Sequence, residues 1–169
     1  MIMGAKKEIE RKWLVDKAKI PFDFSKAEPL VMEQSYINFS PTIRLRNTND
    51  KSYILCVKNK GGKDGLSRDE FETEISKEDY EKLLLKTEGT IIRKTRYCID
   101  TDDGLTMEFD FFEGELSGLC YMEIEFSSEE DALSYPNPPW AIKDVTTDVG
   151  YKNAMLAKVG MPSDAQKNI

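Results

Sequence analysis

The stretch Lys7-Glu8-Ile9-Glu10-Arg11-Lys12-Trp13-Leu14-Val15 constrains the fold more than any other part of the chain. Its branched and aromatic residues, Ile9, Trp13 and Val15, favour a strand. Successive side chains of a strand point to opposite faces, so Glu8, Glu10 and Lys12 share one side and Ile9, Arg11 and Trp13 the other. Two carboxylates followed by an ammonium make a face that is costly to bury unless something charged fills it. A solvated face explains one such triplet. The pattern recurs, however, and the recurrence changes the reading.

Leu30 to Phe39 reads as a strand with Met32, Gln34 and Tyr36 on one face. Thr42 to Asn47 sets Arg44 and Arg46 opposite Ile43 and Leu45. The Asn47-Thr48-Asn49-Asp50 turn leads into Ser52 to Lys58, where Ile54 and Cys56 share the face of Lys58. Arg68 to Ile75 places Arg68, Glu70, Glu72 and Glu74 on one parity. Thr90 to Asp100 carries Lys94 and Arg96, Thr106 to Phe112 carries Glu108 and Asp110, and Tyr121 to Phe126 carries Glu123 and Glu125. Ser76 is placed to cap a helix from Lys77 to Thr87, ended by Gly89, and Ser128 a short one to Ser134. Tyr151 to Val159 reads as a closing helix, and Asp16 to Pro29 and Pro136 to Pro139 as irregular. Gly61-Gly62-Lys63-Asp64-Gly65 is a loop that lacks the ending of a nucleotide-binding P-loop.

An antiparallel sheet with one wet face shows this alternation. Here the wet rows hold like-charged pairs such as Glu-x-Glu and Arg-x-Arg, whose members sit roughly 7 Å apart and repel each other. The apolar parity must also pack on something, and the helices are the available cover. An eight-stranded antiparallel closed barrel, mainly β, with a charged lumen and helices packed outside, satisfies both demands. Such a tunnel suits a highly anionic ligand with a divalent cation, carboxylates holding the metal and Arg and Lys the phosphates.

The net charge of −7 and a pI of about 4.8 argue against general binding to nucleic acid or an anionic membrane. No stretch approaches membrane-spanning length and the first residues have no apolar signal core. Cys56, Cys98 and Cys120 lack metal-ligand spacing and read as reduced thiols of a cytoplasmic protein. With no histidine, chemistry falls to carboxylates, lysine, tyrosine and bound water.

Glu8-Ile9-Glu10-Arg11-Lys12 matches the Glu-x-Glu-x-Lys signature of the CYTH superfamily, the triphosphate tunnel metalloenzymes. The match continues in order through Gln34-Ser35-Tyr36, Arg44-Leu45-Arg46, Lys58, Leu66 to Glu72, Lys94-Thr95-Arg96-Tyr97, Glu108-Phe109-Asp110, Glu123-Ile124-Glu125-Phe126 and Tyr151-Lys152-Asn153. The chain most resembles the short bacterial members, which are similar to inorganic tripolyphosphatases. The resemblance implies a single domain over residues 1–169 whose tunnel binds a linear triphosphate and Mg²⁺ or Mn²⁺. By the same likeness Glu8, Glu10, Glu123 and Glu125 are metal ligands, and Glu70, Glu72 and Asp110 form a second acidic cluster. Lys12, Arg44, Arg46, Lys58, Lys94 and Arg96 grip phosphate, Lys152 clamps the tunnel mouth, and Tyr36 acts with Lys12 in catalysis. The chain departs from the family at Val149-Gly150, where a basic residue is frequent.

The expected reaction is metal-dependent hydrolysis of tripolyphosphate to pyrophosphate and phosphate. Alternatives on the same fold are thiamine triphosphate hydrolysis and ATP cyclisation. The cyclase members share a His-Phe pair ahead of Glu-x-Glu-x-Lys, which is absent here. A non-catalytic polyphosphate- or nucleotide-binding module has little need for so many carboxylates. A homodimer is allowed by analogy alone.

Overall fold

The computed structural model describes residues 6–59 and 66–168. The Gly61–Gly65 loop and the first five residues lie outside the described residues, as does the side chain of Arg68. Nine strands are described: β1 (Lys6–Val15), β2 (Leu30–Phe39), β3 (Thr42–Thr48), β4 (Ser52–Lys58), β5 (Ser67–Glu74), β6 (Glu88–Asp100), β7 (Thr106–Phe112), β8 (Cys120–Glu125) and β9 (Ala141–Asp144). Three α-helices accompany them: α1 (Lys77–Leu84), α2 (Glu129–Ser134) and α3 (Asn153–Val159). The strands run in the order β5-β4-β3-β2-β6-β7-β8-β1, and β1 pairs back to β5, closing an eight-stranded antiparallel barrel. Closure removes the exposed strand edges of an open sheet.

The expected capping serines do cap, with Ser76 Oγ accepting from the Asp79 amide at 3.0 Å and Ser128 Oγ from that of Asp131 at 3.1 Å. Two elements differ from expectation. β9, which pairs with β1 over Trp13–Val15, was not foreseen, because a four-residue segment after Pro138-Pro139 carries too little alternation to be seen. The first helix ends at Leu84, short of Thr87, and Gly89 lies inside β6 with φ +73°.

Apolar side chains of outward parity pack in two places. Ile9, Trp13, Phe109, Met122 and Ile124 lie under the 16–29 segment, α2 and Trp140. Leu45 and Tyr53 lie under Tyr80 and Leu83 of α1. The third cluster lies inside the barrel rather than on its outer face. Leu14, Tyr36, Ile92, Phe112 and Tyr121 have inward parity, and they cluster with Tyr151, Leu156 and Ala157 of the α3 segment. α3 therefore closes one end of the lumen with an apolar floor. No helix among the described residues is long and apolar enough to cross a membrane, and all three cysteines are free.

Candidate active site

The alternation of the strands turns the charged rows inward, and the register decides which charges meet. Glu10 faces Glu125 and Lys12 faces Glu123 across β1 and β8. Arg96 faces Asp110 across β6 and β7, and Lys58 faces Glu70 across β4 and β5. Exposure falls with depth. The Glu72 and Glu108 side chains near the open end are 34% and 35% exposed, while Lys94 and Asp110 are at 1% and 0%. A 460 Å³ cavity at that open end is lined by Glu108, Glu125, Thr106 and Phe126 among others.

Two ion-pair groups line the walls. On the β6–β7–β8 side Asp110 accepts from Arg96 Nε and Nη2, both at 2.7 Å, and also from Lys94 Nζ. Arg96 Nη2 reaches Glu123 at 2.9 Å and Nη1 donates to Glu108, while Lys12 Nζ lies 3.0 Å from Glu123. Burial pushes the Asp110 and Glu123 carboxyls up, but Arg96 and Lys94, joined at Glu123 by Lys12, outweigh it and hold both below the usual range. On the β3–β4–β5 side Lys58 Nζ bridges Glu8 at 2.6 Å and Glu70 at 2.8 Å. Arg44 lies 3.1 Å from Glu72 and 3.8 Å from Glu70, and Arg46 is 3.5 Å from Glu72.

Glu10 stands between the groups without a side-chain hydrogen bond or ion pair among the described residues. Burial, then Glu123, raises its carboxyl to about 6. A partly buried carboxylate, only partly offset by Lys12 and Lys58 and facing a second one on the next strand, suits a hard divalent cation. Glu8 and Glu123 must first trade Lys58, Lys12 and Arg96 for the ion, and no three of these four carboxylates are among the groups whose ligand atoms lie within 4.8 Å of one another.

The structure thus brings Lys12, Arg44, Arg46, Lys58, Lys94 and Arg96 into one lumen with the expected carboxylates. It does not gather the second acidic cluster. Glu70 and Glu72 lie on β5, whereas Asp110 lies on β7, with β8 and β1 between, so the three fall on different walls. Glu70 and Glu72 instead group with Cys56, their ligand atoms within 4.8 Å of one another. Cross-strand register makes that neighbourhood, and spacing along the sequence cannot reveal it. Lys152 precedes the first turn of α3, at the closed end of the barrel rather than at its mouth. Tyr36 is 2% exposed and stacks on Phe39 at the floor. Burial pushes its phenol up, against Arg44, Lys12 and Lys58. Arg11, of outward parity, ties Asp144 and the Ala132 and Tyr135 carbonyls to the outer wall.

A closed antiparallel barrel with its charges turned inward and one end floored defines a class of tunnel domains built around a multiply charged ligand. The chain belongs to the CYTH domain family, whose sequence profile matches residues 6–152. It is 42% identical over 154 residues to an inorganic triphosphatase of Nitrosomonas europaea, covering 89% of this chain and 96% of the relative. It is 36% identical over 155 residues to an inorganic triphosphatase of Acetivibrio thermocellus, covering 90% and 94%. Among solved structures, the crystal structure of an inorganic triphosphatase superposes with a TM-score of 0.63 at 36% identity, over 89% of this chain and 93% of that one. A putative adenylyl cyclase from Hippeastrum, described as having a dominant triphosphatase activity, shares the fold with a TM-score of 0.58 at 18% identity, over 75% and 82%.

Proposed function

We propose that this protein is a metal-dependent tripolyphosphatase of the cytoplasm, a single domain that hydrolyses inorganic tripolyphosphate to pyrophosphate and phosphate inside its lumen. The observation that carries the reading is the convergence of Lys12, Arg44, Arg46, Lys58, Lys94 and Arg96 with inward carboxylates in one floored barrel. Phosphoryl transfer demands positioning and charge neutralisation more than covalent help, which such a lumen supplies. The triphosphatase names of two relatives that this chain matches over most of its length point the same way.

In this reading Glu8, Glu10, Glu123 and Glu125 would hold Mg²⁺ or Mn²⁺, which would neutralise phosphoryl oxygens and orient water. The arginines take phosphates in bidentate fashion and the lysines as point charges. Lys152, at the closed end, adds to the hold on the innermost phosphate. Burial depresses the Lys12 ammonium, but Glu123 and Glu10 outweigh that and raise its pKa, so it stays charged beside the leaving phosphate. Tyr36 keeps its proton because burial raises its phenol, and it is the donor available to that phosphate.

A phosphate-release panel of tripolyphosphate, ATP, GTP, thiamine triphosphate and pyrophosphate, with Mg²⁺, Mn²⁺ or excess chelator, tests the proposal. Tripolyphosphate is expected to turn over fastest, and only with metal. Undiminished turnover in chelator, faster release from thiamine triphosphate, or cyclic AMP as the main product from ATP would overturn it.

A further inference from the structure

One wall of the lumen is built differently from the rest. Every barrel strand turns at least one charged side chain inward except β2, whose inward row is Met32, Gln34 and Tyr36. Gln34 is 2% exposed, and its Nε2 has no hydrogen-bond partner. Its register partner on β3 is Arg46, and the next inward pair is Tyr36 with Arg44, whose Nε is likewise buried and unpartnered. The Gln34 amide also points a donor at the Tyr36 phenol, close enough to oppose in small part the rise that burial gives it but outside hydrogen-bond geometry, so Nε2 stays unsatisfied.

Buried donors in native proteins find acceptors, and one that does not costs the fold its desolvation. Two such donors on adjacent strands, beside the same phenol, lack an acceptor that a phosphoryl oxygen with several lone pairs would provide. The neutrality of the amide matters as well. Burial and the adjacent Arg44 already depress the Arg46 guanidinium, so a further cation on this wall would repel both arginines. A carboxamide adds a hydrogen bond without adding charge.

We propose that Gln34 is a substrate-binding residue of the lumen. Its Nε2–H donates to a non-bridging phosphoryl oxygen of the linear triphosphate, together with Arg44 Nε–H, and holds that phosphoryl group against the Tyr36 hydroxyl. The assignment rests on the tripolyphosphatase reading. Its enclosure is no obstacle, since the ion pairs that draw the walls together are those a triphosphate and a metal would exchange.

The test compares wild type, Gln34→Met and Gln34→Glu by thermal melts and by calorimetric titration of tripolyphosphate with Mg²⁺. Gln34→Met keeps the volume and removes both the donor and its desolvation. Its ligand-free melting temperature is expected to equal or exceed that of the wild type, while its tripolyphosphate affinity falls about tenfold, the worth of one hydrogen bond to a charged group. Gln34→Glu satisfies Arg46 in the ligand-free protein and repels phosphate, so its affinity falls further, by about a hundredfold. Wild-type affinity in Gln34→Met overturns the assignment, whatever its melting temperature. Should Gln34→Met fail to fold, wild-type affinity in Gln34→Glu overturns it equally. A wild-type protein that does not bind tripolyphosphate would instead refute the functional reading itself.

Discussion

Burial and the nearby Glu123 lift the Glu10 carboxyl to about 6, from 4.5 in an unconstrained chain. A pKa raised by folding means stability that is fully present below pH 4.5 and is lost as pH rises through about 6. Ionised Glu10 therefore costs the metal-free fold about 2 kcal/mol at neutral pH. Glu10→Gln is expected to melt about 4–8 °C above wild type in chelator at pH 7.5, with the gap closing at pH 4.5. Added Mg²⁺ should reverse the order, since the ion stabilises the carboxylate but not the amide. Melts of both proteins at three pH values, with and without Mg²⁺, check this, and equal metal shifts would place the ion elsewhere. The identities of the lumenal residues could be read from their parity, because Glu-x-Glu and Arg-x-Arg rows that recur on strand after strand are costly to turn inward without a charged occupant. Their pairing could not. Lys58 meets Glu8 across fifty positions of sequence, and Asp110 parts from Glu70 and Glu72, only because closure fixes which walls adjoin.

Among the elements, the eight barrel strands and the two serine-capped helices were legible because period-two alternation and capping are local signals. β9 was hidden by its brevity, whereas the closing helix α3 was legible and only its place as a floor was not. A short apolar helix reads the same whether it covers a wall or floors a barrel, and only closure of the strands makes the second role available. Gly89 marks where that floor meets β6. A Cβ there would lie 2.4 Å from the Ala157 carbonyl oxygen, at a backbone φ of +73°. Gly104 has a similar φ of +81° with nothing within 4 Å. Gly104→Ala should cost about 1 kcal/mol, the left-handed penalty alone. Gly89→Ala should cost about 2–4 kcal/mol, because α3 must also shift. Urea denaturation of the two variants checks the difference, and equal losses would mean that α3 yields freely.

At the scale of the molecule, the lumen is a set of mutual restraints. Lys12, Lys58 and Arg96 each hold a carboxylate of the proposed metal set, while Arg44 and Lys94 hold Glu72 and Asp110. Either ligand alone must break those pairs and leave buried partners uncompensated, whereas metal and triphosphate together exchange them. The thermal shift with both is thus expected to exceed the sum of the two separate shifts, and additive shifts would mean that the pairs do not gate binding. The apolar floor that α3 lays across one end carries a further consequence. A corridor with a single door has no through traffic. Whatever fragment is cut from the chain on the inner side must wait for the outer one to clear the way, so departure follows position in the queue rather than affinity. The last molecule out is the one that went deepest.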